Sequence, residues 1–158
     1  MSIIGVTSAV VVCAATLVVG VPGSSDAAPP RAFTRVCAPI VASGVGQDLG
    51  GGQTTATISS HGVRLGTSTA TFTTTGLNGT VASFAGDIVI ATAVGALTVP
   101  VTGTLDVTTG AFSSSSTTVT GSGVLSSVSG ALTFTGVENL TTGAFTETVK
   151  GRLCSSIS

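Results

Sequence analysis

The stretch ALTVPVTGTLDV, Ala96 to Val107, sets Leu97, Val99, Val101, Leu105 and Val107 in strict alternation with Thr98, Pro100, Thr102, Thr104 and Asp106. A period of two puts one set of side chains on a buried face and the other in water, which is the signature of a β-strand. From about Arg31 onward the chain is built from Thr, Ser, Val, Ala and Gly, with no i, i+3, i+4 apolar pattern long enough for a core helix. FAGDIVIAT sets Phe84, Ile88 and Ile90 against Asp87 and Val89, and GVLSSVSGALTFTG puts Val124, Val128, Leu132 and Phe134 on one face. GAFTETVKGRLC turns Phe145, Val149 and Leu153 inward and Thr146, Thr148, Lys150, Arg152 and Cys154 outward. Glycines recur within these faces, notably Gly103, Gly130 and Gly151, and interior strand glycines mark bends or close backbone approach.

Turn signals separate the strands. LNGT offers the Asn78-Gly79 pair favoured by a type I′ hairpin, and TTGAF occurs twice, ending at Phe112 and Phe145. In each copy the glycine, Gly110 or Gly143, suits the left-handed position of a three-residue hairpin loop. The GALT and TTGAF segments repeat at unequal offsets, so the chain carries two copies of a hairpin and not a solenoid of fixed period. GVGQDLGGG, Gly44 to Gly52, lacks the spacing of a phosphate-binding loop and reads as a flexible connection. About eight strands result, near 33–42, 53–60, 63–75, 80–93, 96–107, 111–120, 123–136 and 144–154. The expected fold is all-β, an antiparallel up-and-down meander that closes into a barrel and so removes both sheet edges. A β-sandwich with adjacent termini is the alternative.

The first segment stands apart. Ile3 to Pro22 carries no charge, and small and polar residues follow in GSSDAAPP. Ser25 and Ala27 occupy the −3 and −1 places of a secretory cleavage site, so residues 1–27 are expected to be a signal peptide and 28–158 the secreted barrel domain. No Lys or Arg precedes the apolar run, and its length approaches the ~20 residues that span a bilayer, so a retained anchor is the competing expectation. On the cleavage reading, contact with a membrane is made only through the signal segment before it is removed. The destination is outside the cytoplasm, secreted or in the cell envelope. The Ala, Gly, Val and Thr bias resembles that of GC-rich bacterial genomes.

All five basic residues lie beyond Ala27, as do the acidic ones except Asp26, so the domain is nearly neutral. That excludes the basic footprint of a nucleic-acid binder. Beyond the leader there are two cysteines, Cys37 and Cys154, in the first and last strands. With Val36, Ala38, Ile40 and Ala42 inward, both cysteines point outward and bridge only if the first strand meets the last. A disulfide between them is therefore expected, and it argues for closure. Two thiols and one imidazole, His61, do not make a four-ligand zinc site, and no metal or cofactor is expected.

The stretches GSGVLSSVSGALTFTG and GAFTETVKGRL resemble the C-terminal pattern of the allene oxide cyclase and dirigent-type barrel superfamily, in which a glycine-punctuated strand pair precedes the last strand. The resemblance spans roughly Ala96 to Leu153. It implies an eight-stranded antiparallel barrel with an apolar cavity, and it transfers no site residue, because the acidic and aromatic positions of the plant proteins have no counterpart motif in this chain.

Glu147 is the one candidate for chemistry. Alternation from Phe145 to Leu153 places it inward, where desolvation would raise its pKa and fit it for general acid or base work. Alternatively it lies near the mouth, beside the Gly143 turn, and reaches water. His61, in SSHGVRL, is expected to be an exposed turn residue. Threonine pairs such as Thr55 and Thr57 or Thr146 and Thr148 suit the wet side of a strand, and Asn78 and Asn139 open sequons that matter only in a glycosylating host. The chain has no Tyr or Trp, which disfavours a sugar- or peptide-binding surface. Three functions follow: a non-catalytic barrel that is structural or binds a small apolar ligand; a cyclase-like enzyme acting on a hydrophobic molecule through Glu147; and a threonine-rich adhesive or ice-binding surface. Oligomeric state is not legible.

Overall fold

The computed structural model describes residues 34–157. The expected signal peptide, residues 1–27, and its cleavage site lie outside the described residues. Nine strands form one antiparallel sheet: β1 (Thr34–Gly50), β2 (Gln53–Ser60), β3 (Val63–Asn78), β4 (Val81–Thr92), β5 (Gly95–Asp106), β6 (Ala111–Ser116), β7 (Thr120–Gly121), β8 (Val128–Glu138) and β9 (Ala144–Ile157). Neighbours run β1-β2-β3-β4-β5-β6-β8-β9, and β9 returns to β1. The ring is closed, so the fold is a barrel and not a sandwich. β7 is a two-residue strand that pairs with β5 beyond the end of β6. At eight strands a barrel interior is just wide enough to be filled by side chains or to hold one small ligand.

The closing seam is the longest in the molecule, running from Thr34 opposite Ile157 to Gln47 opposite Ala144. Within it Cys37 stands directly opposite Cys154, and the two form a disulfide across 117 residues of sequence. Both cysteines lie on the outer face by alternation, as expected, yet Cys154 is buried. Arg35 reaches from β1 across the outer face of β9 to donate a hydrogen bond to Ser129 of β8, which neighbours Cys154 in register.

Several expectations are corrected. Gly44 to Gly50, read as a flexible connection, continues β1, paired with β2 on one side and β9 on the other. The expected strand over 111–120 breaks after Ser116, and the chain passes through β7 and a one-turn 3-10 helix, Gly123–Leu125, before β8. Pro100 explains the break, because it cannot donate to a sheet ladder. It lies between the β5 residues that pair with β6 (Thr102–Leu105) and those that pair with β7 (Leu97–Thr98). Val124, placed inward by parity, is therefore exposed in the 3-10 turn, and Val107 is exposed in the β5–β6 turn.

The hairpin turns show the same interplay. The β3–β4 loop is Gly79-Thr80, one residue later than the Asn-Gly reading, with Gly79 at φ 59°. The type I′ pattern falls instead at His61-Gly62, where φ is 49° and 78°, and His61 is exposed there as expected. The two TTGAF turns are built alike and are wider than three residues. The Gly110 and Gly143 N–H groups donate to the Asp106 and Asn139 carbonyls at 2.8 Å and 2.7 Å. Asp106 Oδ1 accepts from the Thr108 and Thr109 N–H groups, as Asn139 Oδ1 does from those of Thr141 and Thr142. An Asx residue initiates each turn and a left-handed glycine ends it.

The chain-entropy cost of closing a loop this long puts the disulfide's contribution at roughly 4–5 kcal/mol. A Cys37→Ala, Cys154→Ala double variant should lose about that much stability in urea denaturation. An undiminished midpoint would show that the seam closes without the bridge.

Candidate functional site

Four hairpin connections meet at one end of the barrel: β1–β2, β3–β4, β5–β6 and β8–β9. Beneath them lies a cavity of about 260 Å3 lined by Phe72, Phe84, Phe112, Phe145, Ser68, Ser114 and Glu147, among others, with Asp48 and Glu138 nearer its mouth. Below it the interior is packed by Ile58, Ile90, Val99, Val101, Leu132, Phe134 and Val149.

Glycines stand opposite bulky inner residues in both regions, and every phenylalanine of the cavity has one. In the packed region Ile88 faces Val99 and Phe134 faces Val149, while Ile58 faces Gly44 and Gly66 and Leu132 faces Gly151. In the open half each aromatic ring faces a glycine: Phe72 opposite Gly86, Phe84 opposite Gly103, Phe112 opposite Gly136 and Phe145 opposite Gly46. A Cβ on Gly103 would stand 2.7 Å from Phe84 Cζ, and one on Gly136 would stand 2.5 Å from Phe112 Cζ. The rings therefore lean sideways over the neighbouring strand and line the wall, leaving the lumen open. They form two pairs, Phe72 with Phe84 at 5.1 Å between centroids and Phe112 with Phe145 at 6.0 Å, the latter edge to face. Each TTGAF turn delivers one ring of that second pair.

Glu147 occupies the same kind of place. Gly44 of β1 and Gly136 of β8 flank it directly in register. A Cβ on Gly44 would stand 2.5 Å from Glu147 Oε1 and 2.6 Å from its Cγ, so the side chain folds over β1. The expectation of an inward Glu147 is met, and its carboxyl belongs to the cavity wall. Burial pushes its pKa from the ordinary 4.5 up to about 7, with neither a hydrogen bond nor a neighbouring charge contributing. At the mouth, burial first and then the Asp48 charge and hydrogen bond raise the pKa of Glu138. That pair was missed at the sequence level, although Glu138 shares the inward parity of Phe134 and Gly136.

The remaining candidates fall elsewhere. Cys37 and Cys154 are in the seam, and His61 is at the far end of the barrel, away from Glu147. Asn139 spends its side-chain carbonyl on its own turn. Thr55 and Thr57 pair with Thr69 and Thr67 on the outside of a closed, curved sheet. Among the described residues no group of three or more His, Cys, Asp or Glu side chains is arranged to hold a metal ion. A second, more open hollow of about 380 Å3 lies at the other end, bordered by Val36, Ala38, Leu97, Leu125, Val128 and Leu153 and bearing no charged group. No helix among the described residues is long and apolar enough to cross a membrane. Comparison with family models, curated proteins and solved structures finds no match.

Because the folded state holds the Glu147 proton more tightly than the unfolded chain, the folded form binds more protons between about pH 4.5 and 7. Its contribution is therefore fully present below that window and is lost as pH rises through it, by up to ~3 kcal/mol. Urea denaturation at about pH 5 and about pH 8 should show the fall in the wild type and a flatter profile in Glu147→Gln.

Proposed function

We propose that the chain is an exported, non-catalytic β-barrel that binds a small apolar molecule in the cavity at its hairpin end. The observation that carries this reading is the phenylalanine-lined space of about 260 Å3 kept open by the glycines opposite the rings. It is larger than the ~150 Å3 apolar cavity that takes benzene and just below the ~300 Å3 at which drug-sized sites begin. A single substituted ring or a short branched chain is the size that fits. Exposed Leu49, Leu77, Val107 and Leu140, one from each hairpin connection or its flank, give an apolar approach to the mouth.

The Cys37–Cys154 bridge supports an oxidising compartment, in keeping with the leader read from the sequence and a place in or beyond a bacterial cell envelope. A closed eight-stranded barrel with a cavity at one end agrees with the architecture that the resemblance to cyclase and dirigent-type barrels implied. The second reading is that cyclase-like enzyme, favoured by a carboxyl titrating at about 7 in the cavity wall. Binding takes precedence because burial alone acts on Glu147, with no hydrogen bond to orient it for proton transfer.

Calorimetry of the full chain with n-butylbenzene, a neutral probe of suitable size, tests the binding reading. Saturable binding is expected, and it should disappear in Ala70→Phe, which fills the cavity from β3 while the circular dichroism stays native. Absence of binding, or binding indifferent to Ala70→Phe, would contradict it.

A further inference from the structure

The cavity combines two features that select between kinds of apolar ligand. Every charged side chain in its lining is acidic: Glu147 in the wall, Asp48 and Glu138 nearer the mouth, with no Lys, Arg or His among the lining residues. The apolar part of the open half is dominated by four phenylalanine rings, and the ring of Phe112 lies over Gly136, the residue directly opposite Glu147. Phe145 is on the same inner face of β9, two residues away. A cavity lined by a carboxylate and four aromatic rings is suited to a cation with a greasy body, since the ring quadrupole and the carboxylate attract the same charge. An anionic amphiphile such as a fatty acid would meet three carboxylates and no compensating base.

We propose that the ligand is a small apolar ammonium ion, an alkyl- or arylammonium cation that sets its charge against Glu147 and its carbon body among Phe72, Phe84, Phe112 and Phe145. This rests on the ligand-binding reading above and narrows it to a chemical class. Phenylalanine is suited to the task because it offers a ring face without a hydroxyl or indole N–H that would need its own partner in a space this small. The glycines serve the same end, for Gly44 leaves room over β1 for the Glu147 side chain, and Gly136 leaves room for the Phe112 ring.

The charge on Glu147 governs the site's pH response. The titratable groups of the lining are Asp48 from β1, Glu138 from β8 and Glu147 itself from β9; β2 to β6 contribute none. Asp87 is exposed on the outer face of β4, and Asp106 is engaged by Thr108 in its turn. Glu147 must be ionised to pair with the cation, so affinity should rise with pH as its carboxyl, at about 7 in the free protein, gives up its proton. Between about pH 5.5 and about pH 8 the gain should be about 30-fold.

Benzyltrimethylammonium and its uncharged carbon isostere neopentylbenzene separate charge from shape, and both can be titrated calorimetrically into the full chain. The cation should bind at least about tenfold more tightly than the isostere near pH 8 and lose that advantage near pH 5.5, while the isostere is indifferent to pH. Glu147→Gln should abolish the cation's preference and its pH dependence and leave the isostere's affinity in place. Phe112→Leu, which keeps an apolar side chain, should weaken the cation by about fivefold more than the isostere. Equal binding of the two probes at pH 8, or a cation affinity unmoved by Glu147→Gln, would overturn the ammonium assignment and leave the apolar-binding reading standing. Failure of both probes to bind the wild type would overturn both.

Discussion

The open half of the barrel depends on one exchange between neighbouring strands: a glycine stands wherever a large inner side chain must lie down. Phe72, Phe84, Phe112 and Phe145 each face a glycine, and Glu147 faces two. A Cβ on any of the four glycines that face a ring would stand within 2.7 Å of that ring. The glycines thus set both the shape of the cavity and the burial of its single wall carboxylate. They carry a cost in chain entropy, which the seam between β1 and β9 and its disulfide help to offset.

That seam links the architecture to the site. The register that brings Cys37 opposite Cys154 also brings Gly44 opposite Glu147 and Gly46 opposite Phe145. A slip of one residue would turn every inward side chain of β9 outward, moving Glu147 to solvent and presenting Lys150 and Arg152 to the interior. The disulfide therefore fixes more than stability, since it locks the register on which the cavity lining depends. Glu147 can stay in an apolar wall because protonation relieves the cost of burying its charge.

Much of this was legible in the residues and some of it was not. Period-two alternation gave the strands over Val99, Ile88 and Phe134, and cysteines in the first and last strands argued for closure. The inward parity of Glu147, Phe84 and Phe145 was also visible, whereas Phe72 and Phe112 were not placed. GVGQDLGGG was misread because glycine-rich sequence looks like a loop when only local propensity is weighed, whereas Gly44 and Gly46 answer to residues of β9 a hundred positions away. The break after Ser116 has a local cause in a different strand, the missing N–H of Pro100, and so could not be found from residues 111–120 alone. The depth of Glu147 needed the topology too, for parity tells inside from outside but not which of the four hairpin connections gather around one end. The shared Asx residue two places before each TTG, Asp106 or Asn139, was a readable signal that the two turns are equivalent.

A crystal structure of the protein under xenon pressure tests the central claim most directly, because xenon enters apolar space of this size without needing a chosen ligand. The account predicts a xenon site among Phe72, Phe84, Phe112 and Phe145, within the same closed barrel. A hairpin end with no xenon and with the four rings turned into the lumen would contradict it.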